Sequence, residues 1–243
     1  TMTKENNEKK SKKLARQGKL RVEKERQELV RAAASGSPFD GLTSAFLNFK
    51  RNGIETAFEM IADPASADAK EDVDFCFKLL KDNMMQRHID AGFGWNDALQ
   101  RRMLIEDDAK LLMVKTSDLS EQVGFVHFRF TLEGDCAVLY VYEMQLKSAY
   151  RAKGLGKFIM QMLELIAIRK GMKFIMVTVF KENEGAMRFY LEKLKYMVDE
   201  ISPSRCAVDD ESTYEILSKC LDRELIKDKA VCKDDIGLRL RNY

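Results

Sequence analysis

The chain has 243 residues, 45% of them apolar and 33% charged, and its formal net charge is only +2. This length suits one large domain or two small ones, and the near balance of charges excludes a protein that is basic over its whole surface. No stretch approaches the roughly 18 consecutive apolar residues that cross a bilayer, and no charged start leads into a short apolar segment. We therefore expect neither a membrane protein nor an exported one.

The cysteine and histidine content argues against metal chemistry. The five cysteines are scattered and never form a Cys-x-x-Cys pair, and His88 and His127 are the only histidines. Scattered cysteines are typical of reduced thiols in the cytosol or nucleus, and these residues provide no ligand set for a structural zinc ion. We expect no bound metal and no catalysis through histidine.

The first predicted element is a basic segment. Residues 1–31 carry eleven Lys or Arg and five Asp or Glu, a net charge of +6, which leaves −4 on the remainder. Residues 1–37 are therefore expected to form a basic arm, helical or disordered, that ends in the turn residues before Pro38. The arm is either a solvated segment or one that directs nuclear import or makes weak contacts with nucleic acid or the ribosome.

Beyond the arm, hydrophobic periodicity predicts an alternation of helices and strands. Helical spacing falls at residues 72–88, 96–105, 158–169 and 184–194, and strand-like runs fall at 110–115, 122–131, 137–147, 174–180, 196–201 and 213–218. We predict one α/β domain over residues 38–220, with a single mixed, mostly antiparallel sheet and flanking helices. A charged tail follows over residues 221–243.

A glycine-rich segment joins the third predicted strand to the long helix. A helix start offers unpaired backbone N–H groups and the positive end of the helix dipole, which together bind anions, and glycine lets the backbone approach a pyrophosphate closely. The spacing is neither that of a Walker loop nor that of a dinucleotide fingerprint, so on its own a plain strand-to-helix turn explains it equally well. The candidate anion-binding residues are Arg151, Ala152, Lys153, Gly154, Leu155, Gly156 and Lys157.

In its context the segment resembles the acetyl-CoA loop of the Gcn5-related N-acetyltransferase superfamily. The apolar strand at 174–180 and the segment K-E-N-E-G-A at 181–186 resemble the elements that follow that loop in the superfamily, and the order of elements matches over about residues 105–220. The resemblance implies the superfamily's fold, with acetyl-CoA as co-substrate and no metal.

Four further segments are similar to the N-terminal acetyltransferase D family, whose members acetylate the α-amine of histone tails that begin Ser-Gly-Arg-Gly. They are V-H-F-R-F at 126–130, L-Y-V-Y-E-M-Q-L at 139–146, V-T-V-F-K at 177–181 and T-Y-E-I-L-S at 213–218. The resemblance implies histone tails as the peptide substrate of a monomeric protein in the nucleus and cytoplasm. An acetyltransferase that acts on a lysine side chain or a small amine, and a non-catalytic chromatin-associated module, are the alternatives.

The resemblance also assigns roles by position. Glu143 becomes the general base, acting through a water, while Tyr142 and Tyr140 hold the substrate amine and the terminal residue. The reaction chemistry, rather than the resemblance, makes Tyr190 or Tyr140 the candidate that protonates the leaving thiolate. The peptide contacts would come from Thr178, Tyr214 and Glu133, the last meeting the substrate arginine, and the cofactor contacts outside the glycine loop from Met144, Gln145, Leu146 and Asn183.

Three substrate-site positions depart from the family pattern. Thr131 stands where an aspartate is expected, Phe93 replaces a tryptophan and His88 replaces a tyrosine. One of the two acidic contacts to the substrate arginine is therefore missing, which affects tail recognition rather than the chemistry.

The assigned base raises a geometric problem. Strict alternation places Tyr140 and Tyr142 on one face of the strand and Glu143 on the other. For all three to reach one site the strand needs a bulge or twist. The resemblance implies such a bulge in this strand, and we predict it here. We also expect burial to raise the pKa of Glu143, and the backbone N–H of Leu146, near the splayed end of the strand, to be the candidate donor to the oxyanion.

Overall fold

The computed structural model describes residues 2–206 and 211–222. The predicted tail beyond residue 222 lies outside the described residues. So do Asp209 and Asp210, whose negative charge, with the net −4 of residues 32–243, favours a basic partner. The helices are α1 (Met2–Ser35), α2 (Lys70–Asp90), α3 (Asp97–Leu104), α4 (Leu155–Arg169), α5 (Glu184–Arg188) and α6 (Pro203–Cys206). The strands are β1 (Asn48–Arg51), β2 (Ile54–Ile61), β3 (Lys110–Thr116), β4 (Gln122–Glu133), β5 (Cys136–Leu146), β6 (Phe174–Phe180), β7 (Met197–Val198) and β8 (Tyr214–Cys220).

The eight strands form one sheet in the order β1-β2-β3-β4-β5-β6-β8-β7. Among the strands that the structure describes, only β5 and β6 pair in parallel, and every other neighbouring pair is antiparallel. A parallel pair needs a crossover connection, which α4 supplies. The predicted fold class, a mixed and mostly antiparallel sheet with flanking helices, is confirmed.

Helices cover both faces of the sheet. The apolar side of α4, including Ile159 and Leu163, is fully buried against side chains such as Leu139 and Val141 of β5. On the opposite face α2 packs Cys76 and other apolar side chains against β3 and β4. The sheet is therefore a central layer, and residues on either face of β5 reach one of two different helical layers.

The basic arm is a helix, one of the two states that its sequence allowed. Its C-terminal end packs on the domain, where Ala33 is buried and Val30 contacts the α4 layer. Arg26 pairs with Asp135 in the turn between β4 and β5 at 2.7 Å. In the part of the chain that the structure describes, no helix is long and apolar enough to span a bilayer.

Three features differ from the predicted elements. The hairpin of β1 and β2 was not predicted, although its turn, Asn52-Gly53, has positive φ at both residues and Asn-Gly is a strong hairpin signal. The predicted strand at 196–201 is reduced to the two residues of β7, because Asp199 accepts from the backbone N–H of Ile201 in a turn. The predicted helix at 184–194 is only the short α5, followed by a π-helical turn, Phe189–Lys193.

Candidate active site

The candidate site begins where two parallel strands separate. The pairing of β5 with β6 ends at Val141 and Val177. Beyond this point β5 continues along β4 to its end, while β6 continues along β8. The two strands therefore diverge and leave a cleft, with one edge of β5 unpaired along it.

Backbone N–H groups of β5 point into this cleft. The N–H of Lys147 donates to the carbonyl of Val123 on β4 at 2.9 Å. Because hydrogen-bonded and non-hydrogen-bonded pairs alternate in an antiparallel ladder, the N–H groups of Leu146 and Met144 point away from β4. They face the cleft, where the sequence places the pantetheine arm and the oxyanion donor.

A β-bulge lies in β5 at Tyr142, as predicted. His127 of β4 pairs with Glu143, whereas the next residue, Phe128, pairs with Val141. Tyr142 is therefore the extra residue of the bulge. After it, successive side chains point to the faces of the sheet opposite to those that regular alternation would give. Glu143 lies on the α2 face with Tyr142, whereas Met144 lies on the α4 face.

The Glu143 carboxyl lies in a protein environment that favours its neutral form. Burial raises its pKa to about 7, and the amide of Gln145, which donates to Oε2 at 2.8 Å, opposes that shift. Opposite it on β4, burial and the nearby Arg129 lower the pKa of His127 to about 3, so that imidazole is neutral. The carboxyl pKa matches the range in which a group can accept a proton near neutral pH.

The two tyrosines form a continuous aromatic surface beside Glu143. The Tyr140 and Tyr142 rings are 5.0 Å apart, and the Tyr140 hydroxyl lies 2.5 Å from the Thr178 hydroxyl. Tyr142 also stacks on His127 at 5.1 Å and lies 4.8 Å from the guanidinium of Arg129. Burial raises the pKa of Tyr140 to about 12, so its hydroxyl is protonated at neutral pH.

Arg129 is a site residue whose role the sequence did not reveal. It lies on the same face as Tyr140, its partner across β4 and β5, and pairs with Glu106 at 2.7 Å and Asp108 at 3.0 Å. Its charge is thus balanced by two carboxylates from the segment after α3. The guanidinium supports the Tyr142 ring and is not free for a ligand.

The residues assigned to the substrate arginine lie further along β4 on this face. Thr131 is opposite Val138 and Glu133 is opposite Cys136. Burial, with a contribution from Asp199, raises the pKa of Glu133. A cationic partner would offset that desolvation, so the position suits a basic side chain.

An aromatic cluster lies at one end of the same face. His88, near the end of α2, contacts Trp95 at 5.3 Å and Phe180 at 5.0 Å, and Phe93 lies 5.9 Å from Tyr214. Phe93 remains 58% exposed. The loop after α2 is fixed to the start of β8, because the Thr213 hydroxyl donates to the carbonyl of Ala91 at 3.0 Å.

The glycine-rich segment forms the N-terminus of α4. Gly154 has φ +88°, which favours glycine, and α4 begins at the next residue, three residues earlier than predicted. Within residues 2–206 and 211–222, the backbone N–H groups of residues 152–157 find no hydrogen-bond acceptor, and Lys153 and Lys157 have no acidic partner. These free donors and cations fit a pyrophosphate.

Three of the predicted cofactor residues make side-chain contacts within the protein. The Gln145 amide donates to Glu143 at 2.8 Å and accepts from Asn83 at 3.0 Å, so its side chain is held away from a cofactor. Arg151 donates from Nε to the carbonyl of Leu146 at 2.9 Å and from Nη2 to Asn83 at 2.6 Å. Asn183 accepts from the N–H of Ala186 at 3.2 Å and caps α5, which leaves its Nδ2 as the group for a cofactor contact. Across the described part of the chain, no cluster of His, Cys, Asp and Glu could hold a metal ion.

The part of the chain that forms this site is similar to a known protein family. The model of the acetyltransferase (GNAT) family matches residues 76–196, which include the bulge, the cleft and the glycine-rich loop. The chain belongs to this family.

Two solved structures agree with the GNAT fold. Arabidopsis thaliana NAA60 in complex with acetyl-CoA is 12% identical, with 68% of this chain and 98% of that chain covered and a TM-score of 0.50. Tetrahymena Gcn5 is 7% identical, with 68% of this chain and 96% of that chain covered and a TM-score of 0.51. At these identities the similarity concerns the fold.

In this GNAT chain, the predicted site residues lie around the cleft in three groups. The carboxyl and the two tyrosines lie at its mouth, the glycine loop and the free edge of β5 line its α4 side, and the aromatic and acidic substrate residues lie on the α2 face. Neither Arg129 nor Asn83 was predicted as a site residue from the sequence. Asn83 of α2 contacts both Arg151 and Gln145. No sequence motif marks Asn83, because a polar residue on a surface helix is ordinary.

Proposed function

We propose that this protein transfers the acetyl group of acetyl-CoA to the N-terminal α-amine of histone tails that begin Ser-Gly-Arg-Gly. The observation that carries the proposal is the bulge at Tyr142, which puts Glu143 on the same face of β5 as both tyrosines, just beyond the point where β5 and β6 separate. A carboxylate with a pKa of about 7 is then available where an amine would meet a thioester.

Acetyl-CoA has a matching set of groups in the cleft. The free backbone N–H groups of residues 152–157, with Lys153 and Lys157, suit the pyrophosphate. The outward N–H groups of Met144 and Leu146 suit the pantetheine arm and the thioester oxygen. Asn183 contributes its amide Nδ2 on the other side of the cleft.

The reaction needs only a modest base for an α-amine. The pKa of an α-amine is about 7.7–8.0, against about 10.4 for the lysine side chain. Roughly a quarter of the α-amine is therefore already neutral near pH 7.4. Glu143 accepts a proton from the amine through a water, and the amine nitrogen attacks the thioester carbonyl carbon. The C–N bond forms, the C–S bond breaks, and the leaving thiolate takes a proton from the hydroxyl of Tyr190 or Tyr140. The proton held by Glu143 then returns through water to the tyrosine oxygen, which restores both groups.

The α2 face favours a short, basic chain terminus. Glu133 offers a carboxylate to an arginine side chain, and the contact between Phe93 and Tyr214 limits the face at one end. A site closed at both ends would exclude a lysine within a chain, and a limit at this end supports an amine at a chain terminus. With this substrate we expect a monomer that acts in the nucleus and cytoplasm, and weak nucleic-acid or ribosome contacts of α1 stay a prediction.

The test uses two peptides and the purified protein with acetyl-CoA. One is a Ser-Gly-Arg-Gly peptide with a free N-terminus and all lysines blocked, and the other has a blocked N-terminus and free lysines. We expect acetylation of the first peptide only, located on its α-amine by fragment-ion mass spectrometry. Acetylation confined to the second peptide would instead support the lysine acetyltransferase.

A further inference from the structure

Four polar side chains form a continuous hydrogen-bonded chain from the glycine-rich loop to Glu143. Arg151 Nη2 donates to Asn83 Oδ1 at 2.6 Å. Asn83 Nδ2 donates to Gln145 Oε1 at 3.0 Å, and Gln145 Nε2 donates to Glu143 Oε2 at 2.8 Å. The chain crosses from the loop to α2 and back to β5.

The donor-to-acceptor direction of these hydrogen bonds is fixed at the Arg151 end. A guanidinium has donors and no acceptor, so Arg151 requires the oxygen of Asn83. The Asn83 nitrogen must then face Gln145, which turns its own oxygen toward Asn83 and its nitrogen toward the carboxyl. Arg151 is itself held by the carbonyl of Leu146 at 2.9 Å. Each amide orientation therefore follows from the one before it.

We propose that Asn83 is a positioning residue, which through Gln145 keeps an N–H donor on Oε2 of Glu143 and leaves Oε1 to face the reacting amine. This inference rests on the proposed function, because it assumes that Glu143 is the base. Arg151 acts at the far end as the residue that sets the direction of the chain. The cofactor loop and the catalytic carboxyl are thereby joined by side chains alone.

The donor affects the charge of Glu143 as well as its orientation. A hydrogen bond donated to a carboxylate favours the ionised form. The titratable groups that face Glu143 are His127 of β4, Tyr142 of β5 and Tyr190 of the turn after α5, all of them neutral at pH 7. From α2 the carboxyl is reached through Asn83 and Gln145, so the Gln145 donor is the contact that opposes the effect of burial on the carboxyl pKa.

Two substitutions of Asn83 separate a reversed orientation of the Gln145 amide from a simple loss of the hydrogen-bonded chain. In Asn83→Asp, the new carboxylate accepts from Arg151 and also from Gln145, so the Gln145 amide turns over and presents its oxygen to Glu143. In Asn83→Ala the chain is broken without a new charge. Gln86→Glu is the matched control, since it also converts an amide to a carboxylate on an exposed position of α2 and lies outside the chain.

The readout is kcat as a function of pH, with saturating acetyl-CoA and Ser-Gly-Arg-Gly peptide. We expect the acidic limb of the profile to move to higher pH in both Asn83 variants, by about one pH unit in Asn83→Asp. The variant is then about tenfold slower than the wild type below pH 6.5 and recovers most of its kcat above pH 9. Gln86→Glu should keep the wild-type limb.

The outcomes distinguish this inference from the proposed function. If both Asn83 variants keep the wild-type limb, or lose kcat equally at every pH, Asn83 has no positioning role, while the base assignment stands as long as Glu143→Gln removes the limb. If Glu143→Gln has the kcat and limb of the wild type, the base assignment itself fails. Circular dichroism melting of each variant shows whether a lost activity reflects unfolding.

Discussion

Tyr142 and Glu143 are consecutive residues of β5, yet both side chains lie on the α2 face of the sheet. The register of β4 against β5 shifts at this point, because His127 pairs with Glu143 and Phe128 pairs with Val141. A regular strand would direct Glu143 into the apolar layer under α4, where an ionised carboxylate costs several kcal/mol. The bulge therefore makes the carboxyl available to a substrate.

Glu133→Gln should weaken binding of peptides that carry the arginine. Loss of a charged partner in a half-buried contact costs on the order of 1.5 kcal/mol, which is about a tenfold rise in KM for a Ser-Gly-Arg-Gly peptide at unchanged kcat. Steady-state kinetics measures it. Asp135→Asn is the control, since Asp135 is in the adjacent turn and pairs with Arg26; an equal rise in KM in both variants would contradict a specific contact.

Thr131→Asp should have the opposite effect on the same parameter. The substitution places a second carboxylate on the α2 face, two residues before Glu133, and supplies the acidic contact that the family pattern includes. We expect KM for the arginine peptide to fall severalfold, with no change for a peptide in which alanine replaces the arginine. A uniform change for both peptides would show that residue 131 does not face the substrate arginine.

Gly154→Ala should destabilise the protein and weaken acetyl-CoA binding. A Cβ at this position has room, with its nearest neighbour 3.6 Å away, but the residue has φ +88°. The left-handed backbone costs an alanine about 1 kcal/mol, which urea denaturation would detect, and any relaxation tilts the free N–H groups of the loop.

A second glycine provides the matched control. Gly18→Ala lies within α1 with nothing near a new Cβ, and alanine favours a helix by roughly 0.5–1 kcal/mol over glycine. The two substitutions should therefore change stability with opposite signs, and only Gly154→Ala should raise the acetyl-CoA Kd. Equal destabilisation by both would contradict the backbone argument.

His127 should make stability depend on pH in a defined direction. Its pKa is about 3 in the folded protein against an ordinary value of 6.5, so between these values the unfolded state binds the extra proton. The contribution of His127 to the free energy of unfolding is fully present above pH 6.5. It is lost as the pH falls, by up to about 1.4 kcal/mol per pH unit. In His127→Gln that slope should disappear from urea denaturation series; parallel wild-type and variant series would contradict a neutral buried imidazole.

The parts of the fold that follow from local periodicity were predictable, and the parts set by tertiary contacts were not. The bulge was predictable because the roles that the resemblance implies for Tyr142 and Glu143 conflict with strand alternation. The Asn52-Gly53 dipeptide is a hairpin signal in the sequence, although the hairpin was not predicted. Asn83 carried no such signal, because its role depends on where α2 lies against the end of β5.

The central claim is that Glu143 removes the proton from the amine, and the pH dependence of Glu143→Gln tests it most directly. Glutamine keeps the size of the side chain and cannot accept the proton, and general bases contribute about 10²–10⁴ in rate. We predict that kcat at pH 7 falls by at least about 100-fold, that the acidic limb near pH 7 disappears, and that acetyl-CoA binding measured by calorimetry stays at the wild-type level. A variant with wild-type kcat and an unchanged acidic limb would contradict the account.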